Sequence, residues 1–115
     1  LSFISLSTVL PALAAGAAPH ADIVPMVKPQ FEVGRSQVGA GGVVTDPGLR
    51  AEAVLTVSAR AAELGWYTVG AVASPLPGPS GNVEYFLWLR AHTDRGLGGA
   101  ELDTAVRRAV AEGPQ

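Results

Sequence analysis

The strongest constraint on this chain is an alternation of segment types that follow one another with little room for anything else. A short apolar run, Asp22-Ile-Val-Pro-Met-Val-Lys28, precedes a capped helix pattern and then two β-rich segments. Such a run, nearly free of polar residues, reads as a strand buried on both faces of a parallel sheet. It ends in the only lysine of the sequence. Asp46-Pro47 starts the helix, with Asp as the N-cap and Pro at the first helical position, where its missing N–H costs nothing. Ala53, Val57, Ala61 and Leu64 recur at helical spacing on one face, while Arg50, Glu52, Arg60 and Glu63 are expected to project elsewhere. Gly65 closes the helix. Trp66–Val72 and Val83–Arg90 read as strands, and Ser74-Pro-Leu-Pro-Gly-Pro-Ser-Gly-Asn82 between them cannot be regular structure. A turn at 94–99 leads into a last amphipathic helix carrying Leu102, Val106 and Val110. Strand, helix and strand in this order make an α/β protein.

Length and composition narrow the class further. At 115 residues the chain is one domain at most, and 48% hydrophobic with 16% charged residues excludes disorder as the general state. Without cysteine there is no disulfide framework, thiolate zinc site or thiol nucleophile. His20 and His92 are too few for an all-histidine metal site, so no metal is expected. A net charge of −2 argues against a strong non-specific nucleic-acid binder. Any contact with nucleic acid must come from a few placed residues.

The chain opens in an apolar run beginning at Leu1, which reads as a cut end. Leu1–Ile4 is expected to be the end of a strand, and Ser5 or Ser7 to cap a helix running toward Gly16. The alternative is a secretory signal with small residues around Ala14–Ala18, but no Lys or Arg precedes Lys28, and Ser2, Ser5, Ser7, Thr8 and Pro11 interrupt the run. Spanning a membrane takes about 20 predominantly apolar residues, which this stretch does not supply. Residues 29–45, with Pro29 and four glycines, are expected to form a long functional loop. The Gly39-Ala-Gly-Gly42 cluster is not a phosphate cradle, because it follows a loop and opens no helix. Trp66, Trp88, Tyr85 and Phe86 are expected in the core, and both histidines on the surface.

Three blocks in register carry a resemblance: Leu1-Ser-Phe-Ile-Ser-Leu; Val27-Lys-Pro-Gln-Phe-Glu-Val-Gly-Arg35 with Gly-Gly-Val-Val-Thr-Asp-Pro after it; and Ser74-Pro-Leu-Pro-Gly-Pro-Ser-Gly-Asn-Val-Glu-Tyr-Phe-Leu-Trp-Leu89. They resemble the TlyA (hemolysin A) family of ribosomal RNA 2′-O-methyltransferases, which share the fold of the FtsJ-type enzymes. The resemblance implies the C-terminal half of a Rossmann-like, S-adenosylmethionine-dependent methyltransferase sheet with an antiparallel final strand. It spans residues 1–90 as a partial domain and leaves 91–115 as a variable tail with a helix. It also implies ribosomal RNA or ribosomal subunits as partner, a cytoplasmic setting and no membrane.

The family's RNA-binding domain, its glycine-rich cofactor loop, and the first Lys and the Asp of its Lys-Asp-Lys-Glu catalytic set have no counterpart in these residues. Lys28 and Glu84 match the remaining two. The resemblance places Leu1 and Ser2 near the cofactor. By residue type, Ser80 and Asn82 are candidates for contact with the target nucleotide, although a plain turn explains them equally well, and Arg35 is a candidate for RNA phosphates or a solvated loop residue.

A 2′-hydroxyl is a poor nucleophile, so methyl transfer needs an aligned methyl group and a nearby residue that accepts or orients the hydroxyl proton. A lysine at a strand's C-terminal end, the edge where open α/β sheets bind ligands, can do this. If the 83–90 strand runs antiparallel beside the strand ending at Lys28, Glu84 meets that lysine and orients it or the ribose.

On this reading the isolated chain does not bind the cofactor at useful affinity and exposes a sheet edge. Two other functions would suit such a chain: a secreted or membrane-acting, hemolysin-like protein without enzymatic activity, or a remnant that serves only as an assembly partner.

Overall fold

The computed structural model describes residues 11, 15–16, 21–33, 42–76, 78, 81–93 and 95–114. They contain β1 (Asp22–Ile23), β2 (Met26–Val27), α1 (Pro29–Glu32), α2 (Pro47–Glu63), β3 (Tyr67–Ala73), β4 (Tyr85–Arg90) and α3 (Gly99–Glu112). The strand expected at Leu1–Ile4 lies outside the described residues. Of the helix expected to run toward Gly16, Pro11, Ala15 and Gly16 are described and are helical.

The sheet is organised around β4, which pairs antiparallel with β1 and β2 on one side and with β3 on the other. β1 and β2 share one register against it, Asp22 opposite Arg90 and Val27 opposite Tyr85. Between them the Leu87 N–H donates to the Pro25 carbonyl at 3.2 Å. Residues 22–27 therefore act as a single strand in which Pro25, lacking a donor, still contributes its acceptor.

The α/β class and the antiparallel last strand are as expected, but the two-sided burial of the 22–28 run is not. Asp22, Val24 and Met26 are exposed, whereas Pro25 and Val27 are buried and Ile23 partly so. Successive side chains of a strand point to opposite faces. Here α2 packs against β2, β3 and β4 on one of them.

Local chemistry accounts for the helix boundaries. Asp46 Oδ1 accepts from the N–H groups of Gly48 at 2.7 Å and Leu49 at 3.4 Å, satisfying donors that have no partner inside α2. At the other end Gly65 adopts φ +85°. Its N–H reaches Ala62 O at 3.0 Å and that of Trp66 reaches Ala61 O at 2.9 Å. This left-handed closure is one that glycine makes without a Cβ penalty. Pro29–Glu32, read from sequence as part of a loop, forms the single-turn α1, with proline at its first position.

The core joins Val27 with Val54, Val57 and Ala61 of α2, Tyr85, Leu87 and Leu89 of β4, and Val106 and Val110 of α3. A buried hydroxyl pair, Ser58 Oγ and Thr68 Oγ1 at 2.6 Å, ties α2 to β3. Because α3 packs on both α2 and β3, Arg90 marks where the family blocks end and not where the packing unit ends.

Candidate active site

The register of the sheet sets the site. Val27 faces Tyr85 across the β2–β4 pair, so the next position outward on each strand brings Lys28 opposite Glu84. Lys28 leaves β2 and caps α1, and its carbonyl accepts from Phe31 N–H at 2.9 Å. Glu84 lies one residue before β4, and its carbonyl accepts from Ser74 N–H at 2.8 Å, which prolongs the β3–β4 ladder. Lys28 Nζ stands 3.8 Å from Glu84 Oε2. That separation is an ion pair longer than a hydrogen bond. Glu84 is only 7% exposed, while Lys28 is half-buried, so the amine reaches solvent and the carboxylate behind it is shielded. The expected meeting of these two residues from distant sequence is present in the structure.

The approach to β4 is shaped by a closed turn. Gly78 N–H donates to Asn82 O at 2.8 Å, and Gly81 N–H donates to Gly78 O at 2.9 Å, with Gly81 at φ +85°. Asn82 is buried, and both ends of its amide are engaged. Oδ1 accepts from Val44 N–H at 2.8 Å and Nδ2 donates to Gly42 O at 2.9 Å. Asn82 thus binds the 42–44 segment to the strand that carries Glu84. Ser80, Arg35, Leu1 and Ser2 lie outside the described residues.

One residue corrects the sequence reading outright. Arg50, expected to project from α2, is 2% exposed. Its Nε donates to Val44 O at 3.0 Å and an Nη donates to Pro114 O at 3.5 Å, so it holds the 42–44 segment from the other side and also the end of the chain after α3. The spacing contained the signal: Arg50 precedes Val54, Val57 and Ala61 along the buried stripe of α2.

Beside it the Tyr85 hydroxyl is buried and, among the described residues, has no partner of hydrogen-bonding geometry. Burial pushes that hydroxyl's pKa up, and the Arg50 guanidinium offsets part of the shift. Trp66 and Tyr85 are core residues as expected, but Trp88 is 42% exposed, with Arg90 at 4.8 Å from its ring centroid.

A strand ending in the site lysine, with an antiparallel last strand placed between it and its predecessor in the chain, defines the closing half of a Rossmann-like methyltransferase sheet. The FtsJ-like methyltransferase family model matches residues 1–91, and the chain belongs to that family. It is 69% identical over 114 residues to the 16S/23S rRNA (cytidine-2'-O)-methyltransferase TlyA of Mycobacterium tuberculosis, covering 99% of this chain and 42% of that protein. It is 32% identical over 85 residues to Hemolysin A of Brachyspira hyodysenteriae, covering 74% of this chain and 35% of the relative. A solved structure from Streptococcus thermophilus that bears a hemolysin name superposes with a TM-score of 0.85 at 37% identity, over 97% of this chain and 39% of that one. The chain therefore spans well under half the length of these relatives. Among the described residues no helix is long and apolar enough to cross a membrane.

Proposed function

We propose that these residues are the C-terminal part of the catalytic domain of an S-adenosylmethionine-dependent 2′-O-methyltransferase acting on ribosomal RNA in the cytoplasm. The observation that carries the reading is the Lys28–Glu84 pair: the only lysine of the chain faces a shielded carboxylate at a strand end, 3.8 Å away. Leu1 and Ser2 lie outside the described residues, and Asp22, at the start of the strand that ends in Lys28, is engaged by Arg90 at 2.6 Å. When bound, S-adenosylmethionine would supply an electrophilic methyl group.

The residues of this chain do the rest. A ribose hydroxyl beside Lys28 Nζ finds a group that accepts or orients its proton. Glu84, fixed by the turn before β4, orients that amine from its shielded side. Asn82 and Arg50 stiffen the surrounding backbone, and contact with the RNA is assigned to Arg35 and Ser80 from the sequence, both lying outside the described residues. Residues 1–90 supply the partial methyltransferase domain, and 91–115 are an extension whose helix braces it.

Two measurements test this. In the protein carried at the full length of its relatives, Lys28→Ala should lower 2′-O-methylation of ribosomal RNA, read by mass spectrometry, by about 100-fold or more, and Glu84→Gln by about 10-fold or more. Normal methylation by either variant rejects the role assigned to it. The isolated 115-residue chain should show no S-adenosylmethionine binding by calorimetry at micromolar concentration, and micromolar binding there would contradict the inactivity assigned to the isolated piece.

A further inference from the structure

The Glu84 oxygen nearest Lys28, Oε2, is also packed against Gly78. The carboxylate lies on the backbone of Gly78, so closely that a Cβ built there would sit 2.8 Å from Oε2, 3.0 Å from Cδ and 3.3 Å from Asn82 O. Gly78 is not in the left-handed region, so the need for glycine there is not one of backbone strain. What requires it is the space taken by one side chain. The turn that presents Gly78 is fixed at both ends, by its own N–H to Asn82 O and its carbonyl to Gly81 N–H. Asn82 is itself anchored to Gly42 and Val44. The backbone is thus held, and the flexible end of Glu84 is the part free to yield.

We propose that Gly78 is a positioning residue for the Lys28–Glu84 pair: its bare backbone is the floor on which the carboxylate rests, and the missing side chain sets how close that carboxylate stands to the amine. The inference rests on the reading of Lys28 and Glu84 as site residues given above, and adds that a residue touching neither amine nor substrate controls their geometry. A methyl group at position 78 displaces a carboxylate tip and not a strand, so it should leave the fold nearly intact while moving Oε2 from its place beside Nζ. Catalytic geometry is far less forgiving than stability, since misplacement by about 1 Å can cost as much as 100-fold in rate.

The test is a set of variants in the protein at the full length of its relatives: Gly78→Ala, Glu84→Ala and the two combined, with kcat and KM for ribosomal RNA and the melting temperature of each. Gly78→Ala should lower kcat by about 10-fold with KM for RNA within about twofold of the parent, because the defect lies in alignment and not in binding. Combined with Glu84→Ala, the same substitution should add nothing, because the carboxylate through which it acts is gone. If Glu84→Ala is impaired and Gly78→Ala is fully active, the floor plays no part and the inference falls while the site reading stands. If the two effects multiply, Gly78 acts elsewhere and the inference falls as well. Full activity of Glu84→Ala would remove the site reading itself, and this inference with it. Should Gly78→Ala melt early, the double variant decides: recovery of the melting temperature on removal of the carboxylate places the clash at Glu84, and no recovery overturns the proposal.

Discussion

The two faces of the sheet are built from the same strands and have opposite fates. One carries Val27, Thr68, Tyr85, Leu87 and Leu89, all fully or nearly fully buried beneath the helices. The other carries Val24, Met26, Tyr67, Val72 and Trp88, exposed by 37–59%, with Arg90 and Asp22 paired at its margin. The difference is not one of hydrophobicity, because the open face is nearly as apolar as the covered one. It comes from where the helices lie: α2 and α3 pack against each other and on the sheet, and among the described residues no helix covers the second face. The alternation of a strand sorts side chains into two sets, and the placement of helices decides which set is core.

Substitutions that treat the two faces alike would break this comparison. Leu87→Ala removes a side chain with no exposed surface and should cost about 2–5 kcal/mol, read as a lower denaturant midpoint. Its neighbour on the open face, Trp88→Ala, should cost well under half as much, although more atoms are removed. Equal losses would mean that the open face is covered.

A smaller effect sharpens the contrast between apolar burial and polar anchoring. Asn82→Ala leaves the Val44 N–H and the Gly42 carbonyl without the partners they have at 2.8 and 2.9 Å. Loss of such buried bonds costs about 1–3 kcal/mol. A variant as stable as the parent would mean that water replaces the amide.

The smallest effects are those of pH, and they take opposite signs on the two faces. On the covered face, burial raises the Tyr85 hydroxyl's pKa, partly offset by Arg50. The folded chain therefore keeps that proton longer than the unfolded one. The stability tied to it is complete below the unfolded value of about 10 and is lost as pH rises through the folded value. Tyr85→Phe should remove that part of the alkaline loss in a melting-temperature profile.

On the open face, hydrogen bonds from Arg90 first and Trp88 second hold the Asp22 carboxyl below the usual carboxylate range. The corresponding stability is present above an unfolded value of about 3.9 and fades as pH falls through the folded one. Asp22 is exposed, so Asp22→Asn should shift the acid limb least of all these changes and lose even that effect in high salt.

Sequence by itself determined the local events in this protein. Asp46-Pro47 starts a helix and Gly65 ends it because caps act over a few neighbouring residues, and the β-rich segments flanking the 74–82 loop become strands for the same short-range reason. Family likeness extended this to the antiparallel last strand and to Lys28 and Glu84 as a pair. Only the tertiary structure decided which face of the 22–27 strand is core, since a run apolar on both sides fits one covered face or two. The burial of Arg50, although its place in the stripe with Val54, Val57 and Ala61 was legible, depends on acceptors at Val44 and at Pro114, 64 residues away. Asn82 was expected to face the RNA because a turn amide looks the same whether it serves a ligand or the protein's own backbone. Its partners lie 38 and 40 residues upstream, beyond the reach of any local pattern. The close rest of the Glu84 carboxylate on Gly78 is of the same kind: it is a matter of packing, set by the turn that joins β3 to β4.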